Sequence, residues 1–326
     1  MKILHVVCTY PSKEKPFEQP FTKAQVESLR KMDLDIYVYN IRGYESKLNY
    51  LKAPKIIKKL VIENDIDIIH AHYSYAGLSA IFSSAKTPIL VSLMGSDLLG
   101  VPNKSGELTL RGKFDSYLSK YLVNKIDAVI VKSDRMKHVV KSRAPIHVIP
   151  NGVDFEHFKP KDMMVSRSKI ELDKNTFYIL FLGNPELNRK NYDLALRSFE
   201  KLKNKLPDKK IELLSPFGIS SSEVVDYMNS SNLLLQTSYW EGSPNVVKEA
   251  MACNLPVYST DVGDVKEILN NTKNCLVVNY NAEEISEKIK LLVLDYSKSN
   301  GREMINELKL EVVANKIIAI YKTILE

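Results

Sequence analysis

The amino-acid sequence predicts an α/β protein made of two doubly wound domains. Short continuous apolar segments, typical of buried parallel strands, alternate with helical segments in both halves of the chain. The length of 326 residues is enough for two hydrophobic cores. A hydrophobic fraction of 44% with 26% charged residues is typical of a globular protein.

The first half of the chain contains the strands and helices of one predicted domain. Strands are expected over 2–9, 35–39, 65–72, 88–95, 127–133 and 146–154, because each is a short run rich in Val, Ile and Leu. Helices are expected over 22–32, from Pro54 to about residue 63, and over 111–125. This alternation predicts a Rossmann-like unit.

The second half repeats the pattern and predicts a second domain of the same class. Strands are expected over 177–183, 210–214, 232–238, 256–263 and 275–278. Helices are expected over 193–202, 222–228, 246–252, 265–269, 282–294 and 303–325. We therefore predict an N-terminal domain over 1–154, a C-terminal domain over 155–302 and a terminal helical segment over 303–326.

The segment 239–249 carries the most specific motif of the chain. It follows a predicted buried strand and contains a turn of four residues, Gly242, Ser243, Pro244 and Asn245. A helix then opens at Pro244 or Asn245, and the free N–H groups of its first turn favour an anionic ligand such as a phosphate. Glu241 lies in the turn, and Glu249 is expected roughly two helical turns further on. The two carboxylates would contact different parts of one ligand.

This motif closely resembles the signature of glycosyltransferase family 4, together with the segments 250–257 and 259–263 that follow it. The string Ile-Pro-Asn-Gly-Val-Asp at 149–154 is a second match, and the resemblance covers essentially the whole chain. It implies the GT-B fold, with two Rossmann-like domains facing each other across a cleft and the last helix crossing back to the first domain. It also implies a retaining enzyme that uses a nucleotide sugar.

The resemblance gives the motif residues their expected roles. Glu241 would contact the donor sugar, with the backbone N–H groups of Gly242 and Ser243 near it. Glu249 would hold the ribose hydroxyls of the nucleotide.

Cations of the second domain would stabilise the donor diphosphate. Lys190 matches the lysine of the family, whereas Asn184 stands where the family has an arginine, so Arg189 is expected to supply the missing charge. Asn151 and Gly152 form a turn that the family places in the cleft.

Three polar residues of the first domain are candidate contacts for the acceptor or the sugar. Gln19 stands in a glycine-free first loop where the family has glycine, and Lys13 and Lys15 are further polar substitutes. His72 lies at the carboxyl end of a strand, where open α/β sheets bind ligands, although packing or capping would also explain it. Asp97 either binds hydroxyl groups or caps the next turn.

We expect no metal site and no cofactor besides the donor substrate, for which UDP is the first choice of nucleotide. His70 and His72 share one face of a predicted strand, but the sequence reveals no third ligand for them. The GT-B resemblance implies no metal requirement. Three cysteines without zinc spacing are expected to be reduced core residues of a cytosolic protein.

The net charge of +7 is concentrated in the first half. A basic first domain would face the acceptor, a glycan or lipid-linked glycan. The basic helix near Lys58 and Lys59 either covers a sheet or contacts an anionic membrane surface. Nucleic acid is not expected as a partner, because no recognisable binding module is present. The sequence shows no signal peptide or spanning segment, so the expected location is cytoplasmic or peripheral at the inner face of the membrane.

The predicted function is transfer of a sugar from a nucleoside-diphosphate sugar to a glycan hydroxyl, of the bacterial cell-surface polysaccharide type. Two alternatives stay open. Gln19, Asn184 and Met94 replace residues that the family often has, Met94 standing in for a histidine beside the sugar, which is compatible with a non-catalytic nucleotide-sugar-binding subunit. A GT-B-fold UDP-sugar epimerase is the second alternative, and the motif at 241–249 argues against it.

Overall fold

The structure is a computed structural model, and it describes residues 1–12, 18–100 and 107–326. Lys13 and Lys15, two of the polar substitutes expected in the first loop, lie outside the described residues.

The chain divides into two compact units. The first unit comprises Met1–Gly152 together with Leu310–Glu326, and the second unit comprises Val153–Lys309. The division therefore falls two residues before the predicted one, and the last helix of the chain belongs to the first unit.

The strands form two sheets in which every described strand pair is parallel. The strands of the first unit are β1 (Lys2–Val7), β2 (Asp35–Asn40), β3 (Ile68–His72), β4 (Ile89–Ser92), β5 (Ala128–Val131) and β6 (Ile146–Val148). Those of the second unit are β7 (Phe177–Leu180), β8 (Ile211–Leu214), β9 (Leu233–Gln236), β10 (Val257–Thr260) and β11 (Cys275–Val278). The strand orders are β2-β1-β3-β4-β5-β6 and β11-β10-β9-β7-β8.

Helices connect the strands in the alternating order that parallel sheets require. The first six are α1 (Pro20–Arg30), α2 (Asn49–Asn64), α3 (Ser74–Phe82), α4 (Ser96–Leu99), α5 (Leu110–Leu122) and α6 (Asp134–Val139). The next seven are α7 (Met163–Lys169), α8 (Tyr192–Lys205), α9 (Ser221–Ser230), α10 (Asn245–Ala252), α11 (Val265–Leu269), α12 (Ala282–Leu294) and α13 (Gly301–Met304). The chain closes with α14 (Leu310–Leu325), and short 3₁₀ turns span Asn188–Lys190 and Asn306–Leu308.

The sheet of the first unit is covered on both faces, because successive side chains of a strand point to opposite sides. Leu4 and Val6 of β1 pack with residues of α2, α3 and α5. Ile3, on the opposite face, packs with residues of α1 and α14. Helices α2, α3 and α5 therefore form one outer layer, and α1 and α14 form the other.

The second unit is built in the same way. One face of its sheet packs against residues of α9 and α10, including Val225 and Val247. The other face packs against residues of α8 and α12, including Leu194 and Ile289. Both faces of the central strands are buried, which explains why these strands are continuous apolar runs in the sequence.

Two predicted helices differ from the observed ones. The basic helix begins at Asn49 and not at Pro54, so the proline lies inside it. The helix predicted over 303–325 is wrong in its first part. Lys309 has an extended backbone and forms a bridge with Val153, and this interrupts the helix before Leu310.

Four helices, α3, α4, α6 and α7, were not predicted, and α4 has only four residues. Helix α3 contains no charged residue, and its small and polar residues give no clear helical period. Helices α6 and α7 have only six and seven residues, and each is capped by a side chain, Ser133 and Asp162 respectively.

Each sheet has a point where the strand order reverses, and this is where open α/β sheets place their ligands. In the second unit the chain passes from β7 to β8 on one side and then returns to β9 on the other side of β7. The loops after β7 and β9 therefore leave the same edge in opposite directions. In the first unit the corresponding point lies between β1 and β3.

Candidate active site

The loops after β7 and β9 bring Glu241 together with both predicted cations. Oε1 of Glu241 accepts hydrogen bonds from Nη1 of Arg189 and from Nζ of Lys190, each at 2.7 Å. The same oxygen accepts a third bond, from Oγ of Ser238 at 3.1 Å. The side chains of Glu241 and Lys190 are each only 13% exposed, so this ion pair is largely removed from water.

The electrostatic setting keeps Glu241 ionised. Burial raises the pKa of its carboxyl group, but the charges of Lys190 and Arg189 outweigh burial and hold the pKa below its ordinary value. Glu241 is thus a carboxylate at neutral pH, able to accept hydrogen bonds from sugar hydroxyls and unable to donate a proton.

The surrounding backbone fixes the positions of these charges. Lys190 lies across Gly183, whose φ of +157° and missing Cβ leave room for the aliphatic part of the lysine. The guanidinium of Arg189 lies 5.7 Å from the ring centre of Trp240. Tyr280 donates its hydroxyl to the carbonyl of Ser238 at 3.0 Å and stacks on Tyr239, which ties down the loop before Glu241.

Helix α10 begins at Asn245, as the motif predicted. Glu249 is therefore the fifth residue of the helix, about one turn from its start, and the expectation of two turns was wrong. The residue before the helix, Pro244, makes no capping hydrogen bond with its side chain. Its first-turn N–H groups follow the turn that contains Gly242 and Ser243.

Glu249 is partly buried, and its pKa is shifted in the opposite direction to that of Glu241. Burial raises the pKa of its carboxyl group to about 7, against the opposing charges of Lys248 and Lys190. Lys190 thus acts electrostatically on both glutamates. The two predicted carboxylates therefore share one site and differ in protonation near neutral pH.

A buried polar network supports the turn between the two glutamates. Lys248 is fully buried, and its Nζ donates to Oγ of Ser243 at 2.9 Å. Ser243 in turn donates to Oδ2 of Asp264 at 2.7 Å. Gly263, with φ of +58°, brings this second loop close, since a Cβ there would lie 2.7 Å from the carbonyl oxygen of Gly242.

Sequence reasoning missed Lys248 and Asp264. The available signal was weak, because Lys248 stands among the apolar residues Val246, Val247, Ala250 and Met251 but directly before Glu249, where a solvated lysine would also fit. Ser243, predicted as a backbone contact, uses its hydroxyl to join this lysine and this aspartate.

Three further predicted site residues have local structural contacts. Oδ1 of Asn184 accepts a hydrogen bond from the backbone N–H of Glu186 at 2.9 Å, which shapes the loop after β7. Gly152 packs against the start of α14, where a Cβ would lie 3.0 Å from Cδ2 of Leu310. Asn151 is buried beside it.

His72 lies inside the first unit in a cluster of three buried histidines. Its Nε2 lies 2.8 Å from Nδ1 of His5, and His5 pairs with His70 in the strand register. Nδ1 of His70 lies 2.6 Å from the hydroxyl of Tyr321 on α14. All three histidines are essentially inaccessible, so His72 packs in the core and is not exposed to a ligand.

The reason given against a metal site was wrong, because His5 supplies the third histidine. The candidate ligand atoms of His5, His70 and His72 lie within 4.8 Å of one another. However, His72 stacks on both other rings, with interplanar angles of 21° and 22°, whereas metal ligands direct their ring planes towards a common point. The geometry fits a hydrogen-bonded stack of neutral rings, and burial lowers the pKa of each histidine, that of His5 to about 3.

Asp97 and Gln19 both lie at helix starts. Asp97 is fully buried, and its carboxylate accepts hydrogen bonds from the backbone N–H groups of Ser74, Met94 and Gly95. Burial nevertheless raises its pKa to about 6. Gln19 precedes α1 with a left-handed backbone, and its carbonyl accepts from the N–H of Thr22. These contacts account for Asp97 as a cap, which was one of the two interpretations of this residue.

No described helix has the length and apolar character needed to cross a bilayer.

Family models match most of the chain. Residues 4–157 match the model described as Glycosyltransferase Family 4, and residues 208–308 match the model described as Glycosyl transferases group 1. The second match includes Glu241, Glu249, Lys248 and Asp264.

Individual proteins are similar over nearly their whole length. The chain is 26% identical to TuaC of Bacillus subtilis (strain 168), named as a teichuronic acid biosynthesis glycosyltransferase, over 89% of this chain and 88% of that protein. It is structurally similar to sucrose-phosphate synthase from Thermosynechococcus elongatus, with a TM-score of 0.80, 16% identity and 99% coverage of both chains. HepE from Anabaena, solved in complex with UDP-glucose, gives a TM-score of 0.73 at 16% identity, covering 99% of this chain and 100% of that one.

These similarities and the two parallel sheets confirm the predicted GT-B class of two Rossmann-like α/β domains.

Proposed function

The chain belongs to the glycosyltransferases that join a Glycosyltransferase Family 4 domain to a Glycosyl transferases group 1 domain, and we propose that it transfers a sugar from UDP-sugar to a hydroxyl of a cell-surface glycan precursor. The observation that carries this proposal is the Glu241 carboxylate held by Arg189 and Lys190 where the strand order of the second unit reverses. The UDP-glucose complex of HepE supports UDP as the nucleotide, and the name of TuaC supports a polysaccharide product.

The donor diphosphate would lie against Lys190, Arg189 and the start of α10. The two side chains provide positive charge, and the first turn of α10 provides N–H groups and the positive end of the helix dipole. Without the donor, Glu241 forms ion pairs with both cations, and one positive charge is left over. We therefore expect the diphosphate to compete with Glu241 for Lys190.

The sugar and the ribose would occupy the two glutamates. The hydrogen bonds to Glu241 from Arg189, Lys190 and Ser238 all end on Oε1, which leaves Oε2 for a sugar hydroxyl. Glu249 would accept hydrogen bonds from both ribose hydroxyls when ionised. Its pKa of about 7 implies that donor binding pulls it into the carboxylate form.

Transfer would proceed with retention of configuration, by attack of the acceptor on the face that the diphosphate leaves. The bond between the anomeric carbon and the phosphate oxygen breaks, and the bond to the acceptor oxygen forms on the same side. The proton of the acceptor hydroxyl passes to the departing phosphate. Lys190 and Arg189 would stabilise the negative charge that grows on the diphosphate, so the chemistry needs no metal ion.

The acceptor would be a glycan or lipid-linked glycan bound by the basic first unit. We further propose that the enzyme acts at the cytoplasmic side of the cell membrane, with peripheral contact to anionic lipid. The excess of basic residues in the first 160 positions supports this arrangement.

A thermal-shift screen tests the donor site. UDP-, GDP-, ADP- and dTDP-sugars and the free nucleotides are added to the wild type, to Glu249→Gln and to Glu200→Gln, which changes an exposed glutamate of α8. A ligand at 100 times its dissociation constant stabilises the folded protein by about 2.7 kcal/mol. We expect UDP compounds to stabilise the wild type and Glu200→Gln but not Glu249→Gln. If no nucleotide stabilises the wild type, the proposed donor site is wrong.

Binding without transfer would favour the first alternative function, a non-catalytic nucleotide-sugar-binding subunit, over a glycosyltransferase. A protein that binds UDP-sugar but releases no UDP in the presence of membrane extracts containing lipid-linked glycans would be a donor-binding subunit. Release of UDP that depends on the acceptor extract supports transfer.

A further inference from the structure

Helix α5 has an inverted distribution of polar and apolar residues. Apart from Leu122, its inner face is small or polar, with Gly112, Asp115, Ser116 and Ser119. Its outer face carries four large apolar or aromatic side chains, Leu110, Phe114, Tyr117 and Tyr121, which are 86%, 56%, 67% and 51% exposed. Spacings of four, three and four residues place these four on one stripe of the helix. A helix that only covered a sheet would show the opposite arrangement.

The inner face is fixed by specific hydrogen bonds, which set the rotation of the helix. Asp115 accepts a hydrogen bond from the hydroxyl of Tyr75 on α3 at 2.5 Å. Ser119 donates to the carbonyl of Asp97 at 2.7 Å. Turning α5 to bury its aromatic stripe would break both bonds and bring Asp115 into water. The exposure of the stripe is therefore a built-in feature of the fold.

Basic side chains flank the stripe. Arg111, Lys113 and Lys120 are exposed, and Asp115, the sole acidic residue of α5, is buried. The outer face of this helix consequently combines aromatic and aliphatic groups with positive charge. Segments that lie in the interface of a membrane have this composition, with Lys and Arg beside Phe, Leu and Tyr.

Helix α2 extends the same layer of the first unit. Helix α3 contacts both α2 and α5, and it carries no charged residue. The outer side of α2 exposes Leu51 and Ile62 strongly, at 76% and 67%. Four lysines also lie on α2: Lys52, Lys55, Lys58 and Lys59. Of the two helices together, only Glu63 adds an exposed negative charge, and it pairs with Lys59 at 3.6 Å.

We propose that the outer face of α5, with α2 beside it, is the surface by which this enzyme docks on an anionic lipid bilayer. This inference rests on the proposed function, because it names the membrane-binding surface of that enzyme. Lipid fits better than a protein partner, since lysine is depleted in the buried centre of protein interfaces, whereas six of the seven basic residues on the two helices are lysines. The rings of Phe114 and Tyr117 would insert among the head groups and acyl chains, and the lysines would contact lipid phosphates.

Vesicle co-sedimentation of the full chain tests this surface. The probes are vesicles of phosphatidylcholine with and without phosphatidylglycerol. An apolar variant combines Phe114→Ser and Tyr117→Ser, and a charge variant combines Lys113→Gln and Lys120→Gln. We expect wild-type binding only to the anionic vesicles, and weaker binding at high salt. The apolar variant should bind roughly tenfold more weakly for each ring that inserts, and the charge variant roughly 30-fold more weakly in total.

Matched controls change equivalent groups on the second unit. Leu291→Ser with Leu294→Ser removes two exposed leucines of α12, and Lys209→Gln with Lys210→Gln removes two exposed lysines. Both controls should bind vesicles as the wild type does. Equal loss in a control and in its matched α5 variant would contradict a specific docking surface.

Three other results would overturn the proposal. The first is the absence of wild-type binding to the anionic vesicles, and the second is binding that the α5 variants leave unchanged. The third is a wild-type dimer in light scattering that the apolar variant converts to a monomer, which would mean that a second copy covers the stripe. The UDP thermal shift is measured on the same samples. Loss of vesicle binding with an intact UDP shift separates failure at this surface from failure of the proposed function.

Discussion

Replacing Glu249 by glutamine should stabilise the ligand-free protein at alkaline pH, although it removes a proposed ligand contact. Burial raises the pKa of Glu249 from 4.5 to about 7 in the folded protein. Between these values the folded state holds a proton that the unfolded state has lost, so stability falls as pH rises through this window. The loss of stability reaches its full size above the pKa that Glu249 has in the folded protein. Glutamine has nearly the same shape and does not ionise.

The size of the effect follows from the shift in pKa. A difference of about 2.5 pH units corresponds to about 3 kcal/mol, because each unit is worth 1.36 kcal/mol. Glu249→Gln should therefore match the wild type near pH 4.5 and exceed it by up to about 3 kcal/mol near pH 8. Urea unfolding of both proteins across this range measures the difference directly.

The affinity of the wild type for the donor should change with pH in the opposite direction to its stability, because it should increase as pH rises. If the ionised form of Glu249 holds the ribose, UDP binding to the wild type weakens as pH falls below about 7, and Glu249→Gln binds poorly at every pH. A constant stability difference between variant and wild type from pH 5 to pH 8 would refute the argument, since it would show that Glu249 does not titrate in this window.

Three further predictions concern other charged groups. Glu241→Gln should keep the fold and bind UDP but transfer sugar at least 100-fold more slowly, as measured by UDP release, because a neutral amide holds the sugar and both cations less strongly. Lys248→Met should lower the free energy of unfolding by about 3 kcal/mol, since Asp264 loses its buried cation, and adding Asp264→Asn should recover much of this loss in urea titrations. Below about pH 6.5 the unfolded chain gains protons that the buried His72 cannot accept, so wild-type stability should fall with decreasing pH more steeply than that of His72→Phe. The exposed His138→Gln serves as control, and parallel curves for all three proteins would contradict this last expectation.

The strand pattern and the site motif could be predicted from the sequence because both are local. Buried parallel strands are continuous apolar runs, and the turn from Gly242 to Asn245 sets the start of α10 by its own chemistry. The break at Lys309 could not be predicted, because it depends on a bridge to Val153, which lies more than a hundred residues away in the sequence. The helical pattern of the sequence, taken alone, continues through Lys309.

The groups that the sequence did not reveal are those joined by tertiary contact. His5 lies on β1 and His70 on β3, and only the parallel register brings them side by side. Lys248 looks like a solvated residue in the sequence until Asp264 is placed next to it by the neighbouring loop. The basic character of α5 could be predicted, but its rotation depends on the hydrogen bond between Asp115 and Tyr75.

The proposal that Lys190 binds the donor diphosphate can be tested by comparing two ligands in calorimetry. UDP and uridine share the base and ribose, but only UDP carries the diphosphate. Lys190→Met should bind UDP roughly 10- to 100-fold more weakly than the wild type, the range expected for loss of a charge-assisted hydrogen bond, and should bind uridine equally well. Lys201→Met, an exposed lysine of α8, should leave both affinities unchanged. UDP binding by Lys190→Met at the wild-type affinity would contradict the proposed donor site.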